Sequence, residues 1–480
     1  MALPILSVAR MRSWESASWA AGTREADVIA RVGVVLAAAL RRHARPGDRL
    51  LFLAGKGHNG DDVRAALPHL AAFAVESIDV ADPAAQRQAV AAALGRKPDW
   101  VVDGLFGIGL NRPLSEAWRA LFGTVDASGA RVLAMDVPSG LDADTGNTWG
   151  AAIRADVTLT VGAPKRGLLA PAAVGRVGRL EIAADVGLNP TIPALPGEGV
   201  PDTWTEASDA EGFPGRRRVD AHKGDFGHVA IVAGSVGYHG AAVLAAGGAL
   251  RARPGLVTVI TMRDTCLPVA AQLASAMVQP WVPGGALPAK ATSLVVGPGL
   301  AHPDAVATLR DATRAWWQGF AGPVVVDASA LDWLEPGVPA AGVGPRIVTP
   351  HPGEAARLLG TDVATVRADR PAALRAISAR LGGCWVVLKG HHTLVGRAGD
   401  PIGWNGSGNP GLAQGGTGDV LAGYLGGLLA QTPAPADVPR AIRAAVWHHG
   451  ATADALEHGG RAWTSEDLAD ALGADPRGAR

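Results

Sequence analysis

The chain has 480 residues, which is enough for two or three domains. Hydrophobic residues make up 48% and charged residues 18%, a balance typical of soluble globular proteins with large cores. Lysine plus arginine and aspartate plus glutamate number 44 each, so the formal charge balance is zero and gives no sign of a nucleic-acid or polyanion binder.

The N-terminal segment and the cysteines indicate where the protein works. The opening MALPILSVARMRSWESASW lacks the long apolar core of a signal peptide, and the chain has no run of about 18 apolar residues that would predict a membrane span. Cys266 and Cys384 lie far apart and fit neither a metal spacing nor a disulfide framework, so we expect two reduced core residues. These features predict a cytoplasmic protein.

The first half of the chain alternates apolar runs with amphipathic helical patterns. The helical patterns cover residues 25–43 and 62–73. Short apolar runs predict buried strands at residues 49–55, 99–104, 131–137, 156–162 and 179–185. Strands that alternate with helices predict an α/β domain, in which helices cover both faces of a parallel sheet.

The alternating pattern stops near residue 190 and then resumes. A stretch rich in Pro, Gly and acidic residues predicts a linker at 199–214 between domains at 1–198 and 215–480. A helical pattern at 439–459 lies near the end of the second domain, and the two halves show no internal repeat. The strands predicted for the second domain are 228–234, 256–261, 293–299, 323–329, 346–350 and 384–390.

The loop GKGHNG, from Gly55 to Gly60, follows a predicted strand and comes just before a predicted helix. It matches the G-x-G-x-x-G pattern of dinucleotide-binding folds, and Asp79 stands near the spacing of a ribose-binding acid. Such a match is weak by itself, and Asp61 and Asp62 would repel a pyrophosphate at the start of the helix. An ordinary Rossmann oxidoreductase therefore stays open as one interpretation.

Three polar loops should meet at the carboxyl edge of the first sheet, where ligands bind in open α/β folds. They are the loop above, DGLFGIGLNRP at 103–113 and MDVPSGLDADTG at 135–146. Asn59, Asp103 and Ser139 bring oxygen atoms to this edge, and hard oxygen ligands suit K⁺, Mg²⁺ or Ca²⁺. The alternative is that these side chains cap helices and turns, as Asn, Asp and Ser commonly do.

Four ordered motifs resemble those of the NAD(P)H-hydrate epimerase family across most of residues 1–200: AGKGHNGDDVRAA, VDGLFGIGLNRPL, MDVPSGLDADTG and VGAPKRGLL. The resemblance implies K⁺ ligands at Asn59, Asp103 and Ser139, and Lys165 facing the site. The chain departs from the family pattern at His58, Asp61 and Val63. The implied contacts to a hydrated nicotinamide nucleotide are His58, Asn59, Gly60, Asp61, Asp62, Gly107, Ile108, Gly109, Leu110, Asn111, Arg112, Pro113 and Asp136.

The second half holds a glycine-rich turn that opens a helix, in the stretch QGGTGDVLAG. Free backbone N–H groups at such a turn favour an anion, so Asp419 is either an N-terminal cap or a base beside bound phosphate. His351 and Glu354 follow one predicted strand, and Lys389 ends another as a natural phosphate partner. Small residues at 234–242 either leave room for a flat ligand or allow a helix to pack tightly on the sheet.

Five ordered motifs across residues 215–460 resemble those of the NAD(P)H-hydrate dehydratases, a branch of the ribokinase-like fold: HKGDFGHV, GPGL, TPHPGE, LKG and NPGLAQGGTGDVLAG. The resemblance implies that Asp419 is the catalytic base. The implied substrate contacts are Ala241, Gly299, His351 and Asp419, and the implied nucleotide contacts are Lys389, Gly390, His391, His392, Thr393 and Gly418. The implied fold is α/β, with an N-terminal Rossmann-like three-layer domain followed by a ribokinase-like domain.

The two resemblances together imply a bifunctional enzyme that repairs hydrated NADH and NADPH. The first half would interconvert the R and S epimers with K⁺ bound, and the second would dehydrate the S form with Mg²⁺ and with ADP, or ATP, as phosphate donor. We expect a homo-oligomer that binds neither nucleic acid nor membranes. Two alternatives stay open, a vitamin-precursor or sugar kinase in the second half and a non-catalytic nucleotide-binding module in the first.

Overall fold

The computed structural model describes residues 3–337, 344–432, 435–460 and 462–473. Contacts within these ranges divide the chain into two compact units, the first at Leu3–Pro201 and the second beginning at Asp202. The strand Thr203–Thr205, within the predicted linker at 199–214, belongs to the sheet of the second unit. We propose that the connection between the domains lies before residue 202.

The first unit alternates strands and helices, as the sequence predicts. Its elements are β1 (Leu3–Pro4), α1 (Val8–Ala20), α2 (Glu25–His43), β2 (Arg49–Ala54), α3 (His58–Ala66), β3 (Ala74–Asp79), α4 (Pro83–Gly95), β4 (Trp100–Gly104), α5 (Glu116–Asp126), β5 (Arg131–Met135), β6 (Val157–Val161), α6 (Val174–Val177) and β7 (Arg179–Ala183).

Strands β2 to β7 form one parallel sheet in the order β3-β2-β4-β5-β6-β7. The strand order reverses between β2 and β4, where Phe52 pairs with Val102 and Ala54 pairs with Gly104. Such a reversal opens a crevice at the carboxyl edge of the sheet, which is the usual ligand site of this architecture. The loops that follow β2 and β4 flank this crevice.

Helices cover both faces of this sheet, which confirms the three-layer prediction. Phe52 faces the core beneath α2, while its neighbours Leu51 and Leu53 face a second core on the other side. Because α2 repeats its apolar residues every four positions, one stripe of the helix packs on the sheet, through Val28, Val32, Leu36 and Leu40.

The second unit is a larger α/β domain. Its elements are β8 (Thr203–Thr205), α7 (Ala207–Ala210), β9 (His228–Val232), α8 (His239–Arg251), β10 (Leu256–Thr261), α9 (Cys266–Ala270), β11 (Met277–Pro280), β12 (Ser293–Val296), α10 (Pro303–Gly319), β13 (Val324–Val326), β14 (Arg346–Val348), α11 (Pro352–Leu359), α12 (Val363–Ala368), α13 (Arg370–Arg380), β15 (Trp385–Leu388), β16 (Leu394–Gly396), β17 (Gly403–Asn405), α14 (Thr417–Leu429), α15 (Val438–His458) and α16 (Ser465–Ala471).

The strands of this unit lie in the order β8-β17-β16-β15-β14-β13-β12-β9-β10-β11. The pairs from β15 through β14, β13, β12, β9 and β10 to β11 are parallel, whereas β16 pairs antiparallel with both β15 and β17. The central strands β9, β12 and β13 are buried along their whole length, which explains their continuous apolar sequences. Their carboxyl ends share one edge of the sheet.

The structure confirms every strand that the sequence predicts and corrects several boundaries. The helix predicted at 62–73 is shorter, because α3 spans His58–Ala66 and a 3₁₀ turn follows at Leu67–His69. Cys384 is buried as expected, but Cys266 is only half-buried, and both thiols are free. Among the described helices, none combines the length and the apolar character that crossing a membrane requires.

Candidate functional site

A cavity of about 620 Å³ opens at the crevice of the first unit. Its wall joins the start of α3, the loop after β4, the end of β5 and one face of α1. Its lining is Arg12, Glu15, Trp19, Glu25, Val28, Ile29, Val32, Lys56, Gly57, His58, Asn59, Asp62, Leu105, Phe106, Gly107, Ile108, Gly109, Leu110, Asn111, Arg112, Asp136, Val161, Lys165 and Leu188.

Asp103 and Ser139, two of the three predicted cation ligands, hydrogen-bond to each other and are not part of the cavity lining. The Ser139 hydroxyl donates to Asp103 Oδ1 at 2.6 Å, and the Ser139 N–H donates to Oδ2 at 2.8 Å. The Ser139 hydroxyl also accepts the N–H of Phe106 at 2.9 Å. Burial raises the pKa of Asp103 to about 6, although the hydrogen bonds from Ser139 and Leu105 oppose the shift. The pair ties the loops after β4 and β5 together.

Asn59, the third predicted ligand, is buried in the first turn of α3. Neither Oδ1 nor Nδ2 of its amide has a hydrogen-bond partner among the described residues. A buried amide without partners costs free energy, so it points to a missing ligand. Amide and carboxylate oxygens suit a hard cation, so Asn59 and Asp103 fit the predicted K⁺.

Asp136 and Lys165 form a buried ion pair on the cavity wall, with Nζ 2.6 Å from Oδ1. Lys165 is 1% exposed, and its ammonium also donates to Thr160 Oγ1 at 2.9 Å and to the carbonyl of Val161 at 2.7 Å. These three acceptors fix the Lys165 side chain. The only sequence signal for this pair is the order of the motifs, because the partners are 29 residues apart.

The backbone of Asp136 is strained. Its φ is +64°, a left-handed conformation that residues other than glycine seldom adopt. Its second carboxylate oxygen, Oδ2, accepts only a long 3.3 Å bond from the N–H of Ile108 among the described residues. A Cβ placed on Gly107 would lie 2.9 Å from this oxygen, so the missing side chain keeps Oδ2 open to the cavity.

Two further carboxyl groups, Asp62 and Glu15, face the same space. Burial raises the pKa of Asp62 to about 8, and the carboxylates of Asp136, Asp61 and Glu15 add to the shift while Lys165 opposes it. Burial also raises the pKa of Glu15. Asp62 therefore carries a proton at neutral pH.

Asp61, which the sequence suggested would repel a phosphate, points elsewhere. Its Oδ1 pairs with Arg64 at 2.9 Å, and it does not line the cavity. Arg64 also binds Asp79 at 2.8 Å and the carbonyl of Gly55 at 2.7 Å. The predicted ribose-binding acid Asp79 is thus held in a surface ion pair, and the charge of Asp61 is balanced.

Most of the other residues predicted for this site line the cavity, and two do not. The cavity is lined by His58, Asn59, Asp62, Asp136 and the run from Gly107 to Arg112, whereas Gly60 and Pro113 are not part of the lining. Gly60 has a packing role, because a Cβ there would lie 2.0 Å from the carbonyl oxygen of Gly55. His58 is exposed and pairs with Glu25 at 2.7 Å.

The sequence analysis missed the contribution of α1. This helix brings Arg12, Glu15 and Trp19 to the cavity. Their spacing of three and four residues places them on one helical face, and this spacing was the sequence feature that could have predicted their role. This spacing is hard to recognise in the sequence, because polar and apolar residues alternate along α1 without a clear apolar stripe.

In the second unit, the glycine turn leads into α14 as predicted. Gly416 caps the helix with a left-handed φ of +94°, and the carbonyl of Thr417 lies 2.9 Å from Nε2 of the buried His449. Asp419 is the third residue of the helix, and its carboxylate makes no hydrogen bond within the described residues. The capping interpretation of Asp419 is therefore wrong.

Asp419 is half-buried among other acidic groups. Its pKa is raised to about 7, first by burial and then by the carboxylates of Asp327 and Glu354, while Lys389 opposes the shift. A carboxyl group that titrates near neutral pH is well suited to accept a proton from an alcohol. The position at the N-terminus of α14 also places it beside free backbone N–H groups.

Lys389, predicted as a phosphate contact, lies among these carboxylates. Its Nζ is 2.9 Å from Asp327 Oδ1 and 3.9 Å from Glu354 Oε2. Burial alone would lower the pKa of Lys389, but the two carboxylates outweigh it and the pKa is raised. A Cβ on Gly418 would lie 3.2 Å from Nζ, so Lys389 also borders the glycine turn.

The predicted substrate contacts of this unit lie at the carboxyl edge of the sheet. His351 caps α11 through Nδ1, which accepts the N–H of Gly353 at 2.9 Å, and Glu354 Oε2 accepts the N–H of His351 at 2.8 Å. Ala241 and Gly299 face each other, because a Cβ on Gly299 would lie 2.8 Å from that of Ala241.

The predicted nucleotide loop follows β15. Its two imidazoles, His391 and His392, have ring centroids 3.9 Å apart, and Thr393 Oγ1 donates to the carbonyl of Gly390 at 3.1 Å. Arg370 holds this loop from α13 through the carbonyls of His391 and Leu388, the latter at 3.0 Å. Burial lowers the pKa of His391, and the charge of Arg370 lowers it further.

The small residues in and before α8 have two kinds of surroundings, and the close contact lies at Gly248, against a helix and outside the stretch 234–242. A Cβ on Gly248 would lie 2.1 Å from the carbonyl oxygen of Val420, so this part of α8 packs directly on α14. Gly237 and Gly240 have no atom within 4 Å of a Cβ and leave open space near Ala241. Within the described residues, no group of three or more His, Cys, Asp or Glu side chains has the arrangement of a metal site.

Family models match both halves of the chain. The model described as NAD(P)H-hydrate dehydratase matches residues 229–473, and the model described as YjeF-related protein N-terminus matches residues 74–167. The bifunctional NAD(P)H-hydrate repair enzyme Nnr of Gloeobacter violaceus is 35% identical, and the match covers 95% of this chain and 94% of the relative. The Nnr enzyme of Escherichia coli is 34% identical over 90% of this chain and 86% of the relative.

Solved structures match about half of the chain. A dehydratase from Bacillus subtilis, described as ADP/ATP-dependent and co-crystallised with ATP and Mg²⁺, is 30% identical over 54% of this chain and 91% of its own, with a TM-score of 0.48. A ribokinase-like superfamily protein from Enterococcus faecalis is 25% identical over 57% and 95%, with a TM-score of 0.49. A protein from Streptococcus mutans is 26% identical over 58% and 99%, with a TM-score of 0.50. The α/β fold predicted for both halves is confirmed by the two sheets described above.

Proposed function

Because this chain belongs to the family of bifunctional NAD(P)H-hydrate repair enzymes, we propose that its first half epimerises hydrated NADH and NADPH and its second half dehydrates the S form. The observation that carries the proposal is that one chain holds both sites, each at the carboxyl edge of its own sheet. The substrate has a hydroxyl group at C6 of the reduced nicotinamide ring. The two activities together return both epimers to the intact coenzyme.

For the dehydratase half, we propose that Asp419 accepts the proton of the C6 hydroxyl as the oxygen attacks the terminal phosphoryl group of ADP. Hydroxide is a poor leaving group, and phosphate is a better one. The lone pair of the ring nitrogen then expels phosphate, and loss of a proton from C5 restores the dihydropyridine. The free carboxylate of Asp419 and its pKa of about 7 support this role.

We propose that the glycine turn at the start of α14 and Lys389 hold the transferred phosphoryl group. Free N–H groups at a helix N-terminus and an ammonium group both stabilise developing negative charge. Asp327 and Glu354 offer the carboxylate oxygens that Mg²⁺ prefers, which fits a metal ion carried on the nucleotide. When bound, Mg²⁺ would neutralise charge on the phosphate oxygens. The nucleotide itself would lie on the loop from Lys389 to Thr393.

For the epimerase half, we propose that the hydrated ring enters the cavity between α1 and the loop from Gly107 to Arg112. The N-terminus of α3 would receive the phosphates, and Asp136 would contact the ring. We propose K⁺ at Asn59, Asp103 and Ser139, where it would satisfy the buried amide of Asn59 and fix the loops. The family resemblance also supports a homo-oligomer.

The test is to incubate each purified epimer of hydrated NADH with the full chain, K⁺, Mg²⁺ and either ADP or ATP. We expect the S epimer to be converted to NADH only when a nucleotide is present. We expect the R epimer to be converted after a step that needs no nucleotide. Formation of a stable phosphorylated alcohol, with no NADH, would instead favour a small-molecule kinase.

A further inference from the structure

The cavity of the first unit holds two carboxyl groups with different surroundings. Asp136 is a carboxylate paired with the buried ammonium of Lys165, and its free oxygen Oδ2 faces the space that Gly107 leaves open. Asp62, on α3, has no cationic partner within hydrogen-bond distance among the described residues and is buried. Two carboxyl groups in contrasting environments are the arrangement that separates a proton acceptor from a proton donor.

We propose, resting on the epimerase function above, that Asp136 and Asp62 catalyse epimerisation by opening and closing the ring, and that Lys165 is a positioning residue that acts through Asp136. The substrate carbon C6 carries both a hydroxyl group and the ring nitrogen N1. Such a carbon can change its configuration when the bond to nitrogen breaks and re-forms.

In the opening step, Asp136 Oδ2 accepts the proton of the C6 hydroxyl group. The C6–O bond becomes a carbonyl double bond while the C6–N1 bond breaks, and its electron pair goes to N1. The carboxyl group of Asp62 gives its proton to N1. The product is an aldehyde with a secondary amine, and it has the same composition as the substrate.

In the closing step, rotation about the C5–C6 bond presents the opposite face of the aldehyde to N1. The nitrogen attacks, Asp62 recovers its proton, and Asp136 returns its proton to the oxygen. Both residues end as they began, and no oxidant, reductant or co-substrate is needed. The pKa of Asp62 is raised, mainly because the carboxyl group is buried. This shift supports the role of Asp62 as a proton donor at neutral pH.

The left-handed backbone of Asp136 also fits this assignment. A strained residue persists only where its surroundings hold it, and such residues cluster at active sites. Here the Asp136 Oδ1 atom is held by Lys165 at 2.6 Å, by Thr160 Oγ1 at 3.3 Å and by the N–H of Val161 at 3.3 Å. These bonds aim the other oxygen into the cavity.

The experiment compares Asp136→Asn, Asp62→Asn and Lys165→Met in the full chain, with the R epimer of hydrated NADH as substrate. General acid–base catalysis typically contributes about 10²–10⁴-fold, so we expect kcat for epimer exchange to fall by about 10² or more in the first two variants. We expect Lys165→Met to lower kcat far more than it raises KM. The matched control is Glu76→Gln, an exposed carboxylate on β3 that pairs with Arg96.

Several outcomes separate the two levels of the proposal. If the wild-type chain does not exchange epimers, the epimerase function itself is wrong. If it does and Asp136→Asn or Asp62→Asn retains its kcat, the assignment of proton transfer is overturned. Activity of each variant on the S epimer and its thermal unfolding profile report whether the chain is folded. A single turnover in isotopically labelled water should leave the C6 oxygen unlabelled, because ring opening keeps the C6–O bond.

Discussion

At the scale of single residues, Asp419 is the proposed base of the second unit. It lies one residue after Gly418 in α14, and its carboxylate has no hydrogen-bond partner among the described residues. We predict that Asp419→Asn lowers kcat for dehydration of the S epimer by about 10²–10⁴-fold, because the amide cannot accept the hydroxyl proton. Steady-state kinetics with the S epimer, and equilibrium binding of that epimer, measure the two effects separately.

The same variant should leave epimer exchange in the first unit unchanged, which serves as its internal control. Binding of the S epimer should remain, because asparagine has nearly the same shape as aspartate. Dehydration at the wild-type rate would contradict the assignment of Asp419 as the base.

The acidic surroundings of Asp419 make its reaction dependent on pH. Burial, with Asp327 and Glu354, raises the pKa of Asp419 to about 7. Because only the carboxylate accepts a proton, we predict that kcat/KM for dehydration falls as the pH drops below about 7 and is constant above it. Measurements of kcat/KM for dehydration at pH values on both sides of 7 give the pH at which the rate is half of its maximum, and this pH is the midpoint of the profile.

The variant Asp327→Asn tests whether the pKa of Asp419 sets the midpoint of this pH profile. It removes a negative charge that raises the pKa of Asp419, and it frees Lys389, whose ammonium lowers it. Both effects predict a midpoint at lower pH than in the wild type. A midpoint that stays in place or moves upward would show that another group governs the profile.

The surroundings of Asp61 explain why the expectation that it would repel a phosphate, drawn from the motif alone, was misleading. The sequence places two acidic residues at the start of α3 and suggests repulsion of a phosphate. The partner of Asp61 is Arg64, one helical turn later, and Arg64 also reaches Asp79 on the neighbouring strand β3. The Asp61–Arg64 pair is local to α3, whereas the Arg64–Asp79 pair depends on the pairing of β2 with β3, which was not predicted.

At the scale of elements, the contact between α8 and α14 positions the glycine turn. A Cβ on Gly423 would lie 1.8 Å from the carbonyl oxygen of Ala245, so only glycine allows this approach. We predict that Gly423→Ala destabilises the second unit by about 1–3 kcal/mol, the usual cost of overpacking. Calorimetric unfolding of the full chain measures the shift of that unit's transition.

The control for this prediction is Gly240→Ala, in the first turn of α8, where a Cβ meets no atom within 4 Å. Alanine there should leave the stability of the second unit unchanged or raise it slightly, because alanine favours helix over glycine by about 1 kcal/mol. Equal transition temperatures for the two variants would contradict the packing account.

Elements with a strong apolar pattern were predictable from the sequence, and those without one were not. The helix predicted at 25–43 matches α2, whose stripe repeats every four residues. Strand β3 was missed because five of its six residues are exposed and three are polar, so the sequence AVESID has no buried run. Strands β16 and β17 were not predicted, and length alone is not the reason, because β13 and β14 also have three residues each and were predicted.

At the scale of the whole molecule, the order of motifs predicted two sites. The ion pairs within each site could be identified only from the structure. The ion pairs Lys165–Asp136 and Lys389–Asp327 join residues 29 and 62 positions apart. Each depends on which strands are neighbours and on the side chains that fill the space between them. Neither spacing nor composition contains that information.

Separate sites in one chain predict that the two activities can be removed one at a time. A Cβ at Gly107 would lie 2.9 Å from Asp136 Oδ2. We therefore predict that Gly107→Ala lowers epimer exchange by about tenfold or more, since misplacing a reacting group by 1 Å is costly. Dehydration of the S epimer, followed in the same preparation, should be unchanged, and a parallel loss of both activities would contradict this separation.

The central claim is that this one chain repairs both epimers. Its most direct test is the recovery of the near-ultraviolet absorbance of NADH from a mixed-epimer preparation of hydrated NADH, with K⁺, Mg²⁺ and ADP or ATP, against a blank without enzyme. We predict rapid recovery of nearly all the absorbance by the wild type and almost none by Asp419→Asn. Rapid recovery of only the S fraction by the wild type, followed by the slow spontaneous phase, would contradict the claim for the first unit, and no recovery with either nucleotide would contradict it for the second.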